Sequence, residues 1–394
     1  MMKAKKLMIV LLAVCLMLSA VGCGSAFSAE YYYSEPFMDG DAPESGLDTE
    51  IRNRRALKEA ILALVEAGES EGQFRFGSYS GALQDDLAEV CHEIKTSTPL
   101  GSYAVNDISY NTSRIVSYYT ATIKIDYKRS AGEIAGVENI SGLAQLKKHI
   151  LRVMTAYSTE SAIGIYSTYA SEEYIASLIE DNYYSNPCLM AELPEYAVEA
   201  FPDSGPERIY RIEFEYSRPE EKLSEMLEKL RVKISELAAE VKATDELNRS
   251  LSAARLINEA VAEEGEGGDG DTAYACLLEG SDSPMAIAMA YKALCDELGI
   301  NCYVVRGQRR DSEEKNYGWN IIGIEGKYYH MDLSRMDENY YLAYLLSDDD
   351  MWSSYAWDTE KYPVCDGPLN AKSIFEQGNA DVIPTDPPQP EDSD

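Results

Sequence analysis

His330 stands two residues before Asp332 in the run KYYHMDLS. In an extended strand that spacing points both side chains to one face. An imidazole beside a carboxylate is the base and its orienter in acyl-transfer chemistry, where a thiol or hydroxyl supplies the nucleophile. The nucleophile is harder to place. Ser283 precedes Pro284 at the head of the apolar run PMAIAMAYKALC. That is a helix start, with Ser as N-cap and Pro at the first helical position. The capping role outweighs a serine nucleophile, since no base is evident for Ser283. Cys276 lies upstream of Pro284 and is the thiol that a relocated Cys–His pair would use, but a satisfied structural role for His330 outweighs such a pair. The other histidines, His92 and His149, fall in helical patterns and read as surface or interface residues.

These groups need a helix, a strand and a hairpin to hold them. AMAYKALCDELGI (288–300) has helical apolar spacing, CYVVRG (302–307) reads as the next strand, and YGWNIIGIEGKYYHMD folds back at Gly326 as a tight hairpin. Gly299 and Gly307 are also expected at turns. Upstream, Leu223, Met226, Leu227, Leu230, Ile234, Leu237 and Val241 form the apolar stripe of a long helix, opened by a Ser217–Glu220 capping box. A second helical stretch runs to Ala262. Earlier still the chain repeats itself at an offset of 89. Phe74-Arg75-Phe76 matches Ile163-Gly164-Ile165, and IKIDYKR (123–129) matches IEFEYSR (212–218). SYAV (102–105) resembles EYAV (195–198). Each copy reads as strand, helix and two strands, with period-two alternation in the last strand. A helix precedes each copy, the first with Leu57, Ile61, Leu64 and Val65 on one face and Asp48 or Thr49 as N-cap. The second carries Leu143, Leu146, Ile150, Val153 and Met154.

The amino terminus has Lys3, Lys5 and Lys6 ahead of the apolar run Leu7 to Val21. This is an export signal, shorter than the roughly 20 apolar residues of a membrane span. Its end, Ala20-Val21-Gly22-Cys23, resembles a bacterial lipobox, which implies acylation of Cys23 and a protein on the outer face of the cytoplasmic membrane. The alternative is secretion after cleavage near Ala26 or Ala29. The formal charge of −33 becomes −36 once three Lys leave with residues 1–22. Such an acidic chain argues against nucleic acid as a partner, because phosphate binding needs Lys and Arg. Cys91, Cys188, Cys276, Cys295, Cys302 and Cys365 show no CxxC pair and no zinc spacing, so neither a metal nor another cofactor is implied. Cys295 and Cys302 lie in apolar patterns and read as buried free thiols.

From Thr272 to Cys365 the chain resembles the transglutaminase-like superfamily of papain-like fold, which includes bacterial cysteine proteases and amide-transfer enzymes. AYACLLEG (273–280) resembles the lead-in to the nucleophile helix, and 288–300 that helix. YGWNIIGIEGKYYHMDLS (317–334) resembles the hairpin that carries the base in a His-Ala-Trp-Asn block and the orienting Asp. YLLSDDDM (344–351) and WDTEKYPVC (357–365) resemble endings of bacterial members. The resemblance puts Pro284 at the nucleophile position, Tyr317 at the base position and Asp332 at the orienting position. Only Asp332 is intact. Tyr, with an ordinary pKa near 10, is a poor base at neutrality, and its expected role is to fill the old cleft. Trp319 and Asn320 keep the end of the block and read as structural.

The expectation is an α+β protein: a papain-like, transglutaminase-like C-terminal domain preceded by a duplicated region of helix plus strand-helix-strand-strand. The boundaries are a signal peptide at 1–22, a tether at 23–46, repeats at 47–133 and 134–218, the long helix and transglutaminase-like domain at 219–378, and a disordered acidic, Pro-rich tail at 379–394. The expected function is non-catalytic binding or scaffolding at the cell surface, with membrane held through the lipid and an envelope protein, peptide or sugar as ligand. The former cleft comprises Ser283, Tyr317, Trp319, Asn320, His330 and Asp332. The enzymatic alternative is a cysteine peptidase or protein-glutamine amide-transfer enzyme whose displaced groups are Cys276, Ser283 and His330. A third reading makes the duplicated region the functional part.

Overall fold

The computed structural model describes residues 50–166, 170–264, 270–311, 316–336 and 340–375. The expected signal, Cys23, tether and tail lie outside the described residues, as do residues 265–269 of the acidic stretch EEGEGGDGD. The chain is α+β, with helices laid on three separate sheets.

The first sheet begins after α1 (Arg54–Ala67), which buries Leu57, Ile61 and Val65. Its N-cap is Asn53, whose side chain accepts the Ala56 N–H at 2.9 Å. The helix therefore starts later than the expected Asp48 or Thr49. Strand β1 (Glu71–Phe76) is followed by α2 (Leu83–Ser97), the short α3 (Pro99–Ala104), β2 (Val105–Ile115) and β3 (Tyr118–Tyr127). The strand order is β1-β3-β2, all antiparallel.

After α4 (Ala131–Ala135), the second sheet is built from β4 (Glu138–Ile140), β5 (Glu160–Tyr166), β6 (Glu195–Phe201) and β7 (Glu207–Glu215), with α5 (Leu143–Thr155) and α6 (Glu172–Ser185) between them. Its order is β4-β5-β7-β6, so β5, β7 and β6 stand to one another as β1, β3 and β2 do. SYAV and EYAV differ in structure. Ser102 to Ala104 end helix α3, capped by Thr98, while residues 195–198 lie inside β6. Leu143, placed in the apolar stripe, is exposed at the helix start. His149 is buried, not superficial. Polar partners on the neighbouring strands make that possible: Ser161 Oγ at 2.8 Å and the Glu138 carboxylate at 3.1 Å. His92 is exposed.

α7 (Glu220–Glu240) and α8 (Glu246–Glu264) lead into α9 (Ala273–Glu279) and α10 (Pro284–Glu297). The expected capping box does not form. Ser217 instead donates from its N–H and hydroxyl to the Glu192 carboxylate, both at 2.6 Å, and the helix starts after Pro219. α10 is buried along almost its whole length, between α7, α8 and α9 on one side and the third sheet on the other. That sheet has the order β10-β9-β8-β11, all antiparallel, from β8 (Cys302–Arg309), β9 (Tyr317–Ile324), β10 (Lys327–Met331) and β11 (Tyr355–Trp357). Glu325 and Gly326, at φ 49° and 77°, form the two-residue turn between β9 and β10, whose conformation requires positive φ at both positions. Gly307 is not at a turn. It lies inside β8, where an added Cβ would sit 2.4 Å from the Trp319 ring and 2.5 Å from the Ala356 carbonyl oxygen.

The sheet has two packed faces. Val304, Ile322, Ile324 and Met331 join the core that contains α10. Val305, Tyr317, Trp319 and Ile321 join a second cluster with Met351 of α11 (Asp348–Trp352), Tyr355 and Cys365. The chain ends its described part in α12 (Ala371–Phe375).

Candidate functional site

Three hydrogen-bonded clusters hold the chemistry-bearing residues; the second and third share one sheet face, where Trp319 packs against both Tyr355 and His330. The first is the start of α10. Ser283 Oγ accepts the Ala286 N–H at 3.1 Å and donates to Asp271 Oδ1 at 2.7 Å. Pro284 follows as the first helical residue and is buried. Asn316 Nδ2 donates to Asp271 Oδ2 at 2.7 Å, bringing the chain just before β9 to the helix start. The serine hydroxyl is thus spent on its cap and on Asp271. Among the described residues no imidazole hydrogen-bonds to it.

The second cluster surrounds Asp332, which is fully buried at the end of β10. Its Oδ2 accepts the hydroxyls of Tyr317 at 2.9 Å and Tyr355 at 2.5 Å, and its Oδ1 accepts Ser334 Oγ at 2.6 Å. Burial raises the carboxyl's pKa, while the three hydroxyls and Arg335 pull it back. Tyr317 therefore donates to Asp332, and its phenol is pushed up to about 12 by burial and by Asp332. It can donate to the carboxylate and cannot serve as a base near neutrality. Its side chain belongs to the cluster of Trp319 and Tyr355, on the sheet face away from the core that holds α10. Asn320, its near neighbour, points the other way and donates to the carbonyl oxygens of Ala288 at 2.9 Å and Tyr303 at 3.3 Å. It ties strand to helix.

The third cluster forms around His330, also fully buried. Leu346 pairs with the His330 backbone through two hydrogen bonds, at 2.8 and 3.0 Å, laying residues 344–348 beside β10. This brings in Asp348, whose Oδ1 lies 2.9 Å from His330 Nε2. Asp348 in turn binds Cys365 twice: its Oδ2 accepts the Cys365 N–H at 3.2 Å, and its own N–H donates to the Cys365 carbonyl oxygen at 2.9 Å. Ligand atoms of His330, Asp348 and Cys365 all lie within 4.8 Å of one another. The thiol beside His330 is therefore Cys365, at the end of the quoted ending WDTEKYPVC. Cys276, the sequence candidate, is buried in the other core, its pKa pushed up to about 12 by burial. Asp348 and Cys365 carried no local signal, because their approach depends on the Leu346 pairing.

By donor type the trio could serve as a catalytic triad or a metal centre. Trp319 argues against both. Its Nε1–H lies 2.9 Å from His330 Nδ1. An indole nitrogen only donates, so Nδ1 must accept, and the single proton of the neutral ring sits on Nε2, directed at Asp348. Exchanging the two ring nitrogens changes nothing, since the nitrogen facing the indole must still accept. No lone pair remains to take a proton from Cys365. Ligation on the Asp348 side would move the proton onto the nitrogen that faces the indole N–H. Metal-bound histidines instead donate their second N–H outward. Burial lowers the His330 pKa, against the pull of Asp348, and raises that of the Cys365 thiol, assisted by Asp348. Both shifts hold the pair neutral, the opposite of a thiolate–imidazolium pair.

No family model matches the chain, and no curated protein matches it. A solved structure described as "Crystal structure of a TGase" is similar at 11% identity and a TM-score of 0.24, over 56% of this chain and 63% of that chain. The chain thus spans less than two thirds of that structure's length.

Proposed function

We propose that the chain is a non-catalytic binding or scaffold protein whose C-terminal part is a transglutaminase-like domain that has lost its chemistry. A lipid on Cys23 would carry it on the outer face of the cytoplasmic membrane. The observation that supports this reading is the state of the three mapped positions. Pro284 opens the helix, Tyr317 donates to a buried carboxylate, and Asp332 is saturated by three hydroxyls. The helix start, strand and hairpin expected from the resemblance are present, and the groups standing at its nucleophile and base positions are Pro and Tyr. The second reading is a displaced cysteine peptidase or amide-transfer enzyme; Cys365, His330 and Asp348 lie together, but the bond from Trp319 to His330 and the neutral state of the pair count against it.

The test is turnover by the purified full chain. It is offered a glutamine-bearing protein with a primary amine donor, and separately a mixed peptide pool. The expected result is neither amine incorporation nor cleavage. A product that forms with the natural chain and vanishes in Cys365→Ala, Cys276→Ala or His330→Ala would establish the enzymatic reading instead.

A further inference from the structure

The β2–β3 hairpin ends in a tip of unusual composition. Val116 and Ser117 form its two-residue turn, closed by the pair Ile115–Tyr118 with Arg114–Tyr119 behind it. Such turns ordinarily carry Gly, Asn or Asp. Here Val116 is 99% exposed, and Ile115 and Tyr119 are exposed too. Two arginines flank them. The Arg75 guanidinium lies 4.1 Å from the Tyr118 ring centre, and that of Arg114 lies 5.7 Å from the Tyr119 ring centre. The chain has 68 Asp and Glu in 394 residues, yet none falls between Asp107 and Asp126. The described fold also begins at this end. Glu50 bridges Arg75, and its carboxylate pairs with Arg52 at 3.3 Å. The Ile51 N–H donates to the Arg75 carbonyl oxygen at 2.8 Å, and Arg75 stands opposite Thr120. Thr120 lies about 10 Å along the strand from the Ser117 turn. The 26 residues from 24 to 49 connect this point to Cys23. A flexible chain of that length spans roughly 30 Å on average.

We propose that the hairpin tip is a membrane-contact site whose partner is a phospholipid bilayer. The inference rests on the reading of Cys23 as the lipid anchor, because a tether of that span keeps the start of the fold, and the hairpin beside it, near the membrane. Ile115 and Val116 enter the boundary between headgroups and acyl chains. Tyr118 and Tyr119, each with an apolar ring and a polar tip, lie at the headgroup level. Arg75 and Arg114 reach lipid phosphate oxygens while their stems stay on apolar surface. Charge selects this end. A chain of net charge −33 is repelled by anionic headgroups, and a stretch without acids is where it can approach them. Two aliphatic side chains add little to the grip of an acyl anchor. What the wedge sets is orientation, since the first sheet then stands with its β2–β3 turn down.

The experiment uses the full chain, expressed in a bacterium, taken from its membranes in detergent and reconstituted in vesicles of phosphatidylcholine and phosphatidylglycerol that contain a nitroxide-bearing phospholipid. An environment-sensitive fluorophore is attached through Val116→Cys and, in a second sample, through Val232→Cys on α7, which is also exposed. The described natural cysteines are buried or half-buried, so the natural chain taken through the same labelling sets the background. Neither substitution touches the core. Flotation with the vesicles reports the anchor separately. The expected result is flotation of both proteins, with the Val116 label shifted to the blue and quenched roughly twofold or more by the nitroxide, and the Val232 label unchanged. Flotation with an unquenched Val116 label, or equal quenching at the two positions, would overturn this inference and leave the anchor reading standing. A Val116 label that shifts to the blue without quenching would overturn it in favour of a protein covering the tip. Failure of the chain to float would overturn the anchor reading and this inference together.

Discussion

Trp319 fixes the protonation of His330 through one hydrogen bond, and this has a measurable consequence. The chain has three histidines, so each ring can be followed by NMR. His330 should titrate below the ordinary value near 6.5, since burial outweighs the pull of Asp348. A base whose folded pKa lies below its unfolded value stabilises the fold above the unfolded value. That contribution is lost as pH falls below it. Stability to urea should therefore drop between about pH 7 and pH 5 in the natural chain, and drop less in His330→Gln, whose amide can still accept from Trp319 and donate to Asp348. His149, also lowered by burial, remains in both proteins and cancels in the comparison. Trp319→Phe should release the ring lone pair and raise the His330 titration midpoint; an unchanged midpoint would mean that the indole does not set the tautomer. At Asp332, Tyr355→Phe removes one of three hydroxyl donors from a buried carboxylate. It should cost about 1–3 kcal/mol by urea denaturation, because a fully buried carboxylate loses one of its charge-assisted hydrogen bonds.

Elements impose their own requirements. Ser283→Ala removes the cap of α10 and one partner of Asp271 together, with an expected loss of about 1 kcal/mol. Such a loss with no change in any binding measured for the chain would mark Ser283 as a cap alone. Gly307→Ala tests a different device. The Cβ would meet both the Trp319 ring and a backbone carbonyl of the adjacent strand, neither of which is the free end of a flexible chain. The expected cost is about 1–3 kcal/mol with disturbed Trp fluorescence, in line with overpacking in a filled core. Much of this level was legible beforehand. Ser283-Pro284, the Glu325-Gly326 turn, the α7 stripe and the alternation in β3 and β7 are local rules, each set by residues within a few positions. The places where the reading missed are where a distant group intervened. Ser217 took Glu192 as partner instead of capping, and Gly307 reads as a turn residue until Trp319 is laid across it.

At the scale of the molecule, one core runs from the second sheet through α7 to α10 and into one face of the third sheet. Polar contacts reinforce it. Arg306 of β8 bonds the Glu180 carboxylate and lies 3.4 Å from Asp181, both on α6, and its guanidinium stacks 4.7 Å from the Tyr184 ring centre. Arg306→Met should destabilise by about 1 kcal/mol and expose the α6–β8 contact to limited proteolysis, since the part-buried Glu180 loses its hydrogen-bonded cation. Unchanged proteolysis would show that the shared apolar core alone holds these elements. The amino-acid sequence by itself determined what depends on neighbours along the chain: the helix and strand patterns, the start of α10, the hairpin turn, and the absence of Cys and His at the positions Pro284 and Tyr317. Only the tertiary structure decided which groups meet. It buried His149, set Cys365 and not Cys276 beside His330, and brought Asp348 into that contact through the Leu346 pairing. The physical reason is that a side chain's proton affinity and hydrogen-bond partners are fixed by burial and by groups distant in sequence, which local periodicity does not encode.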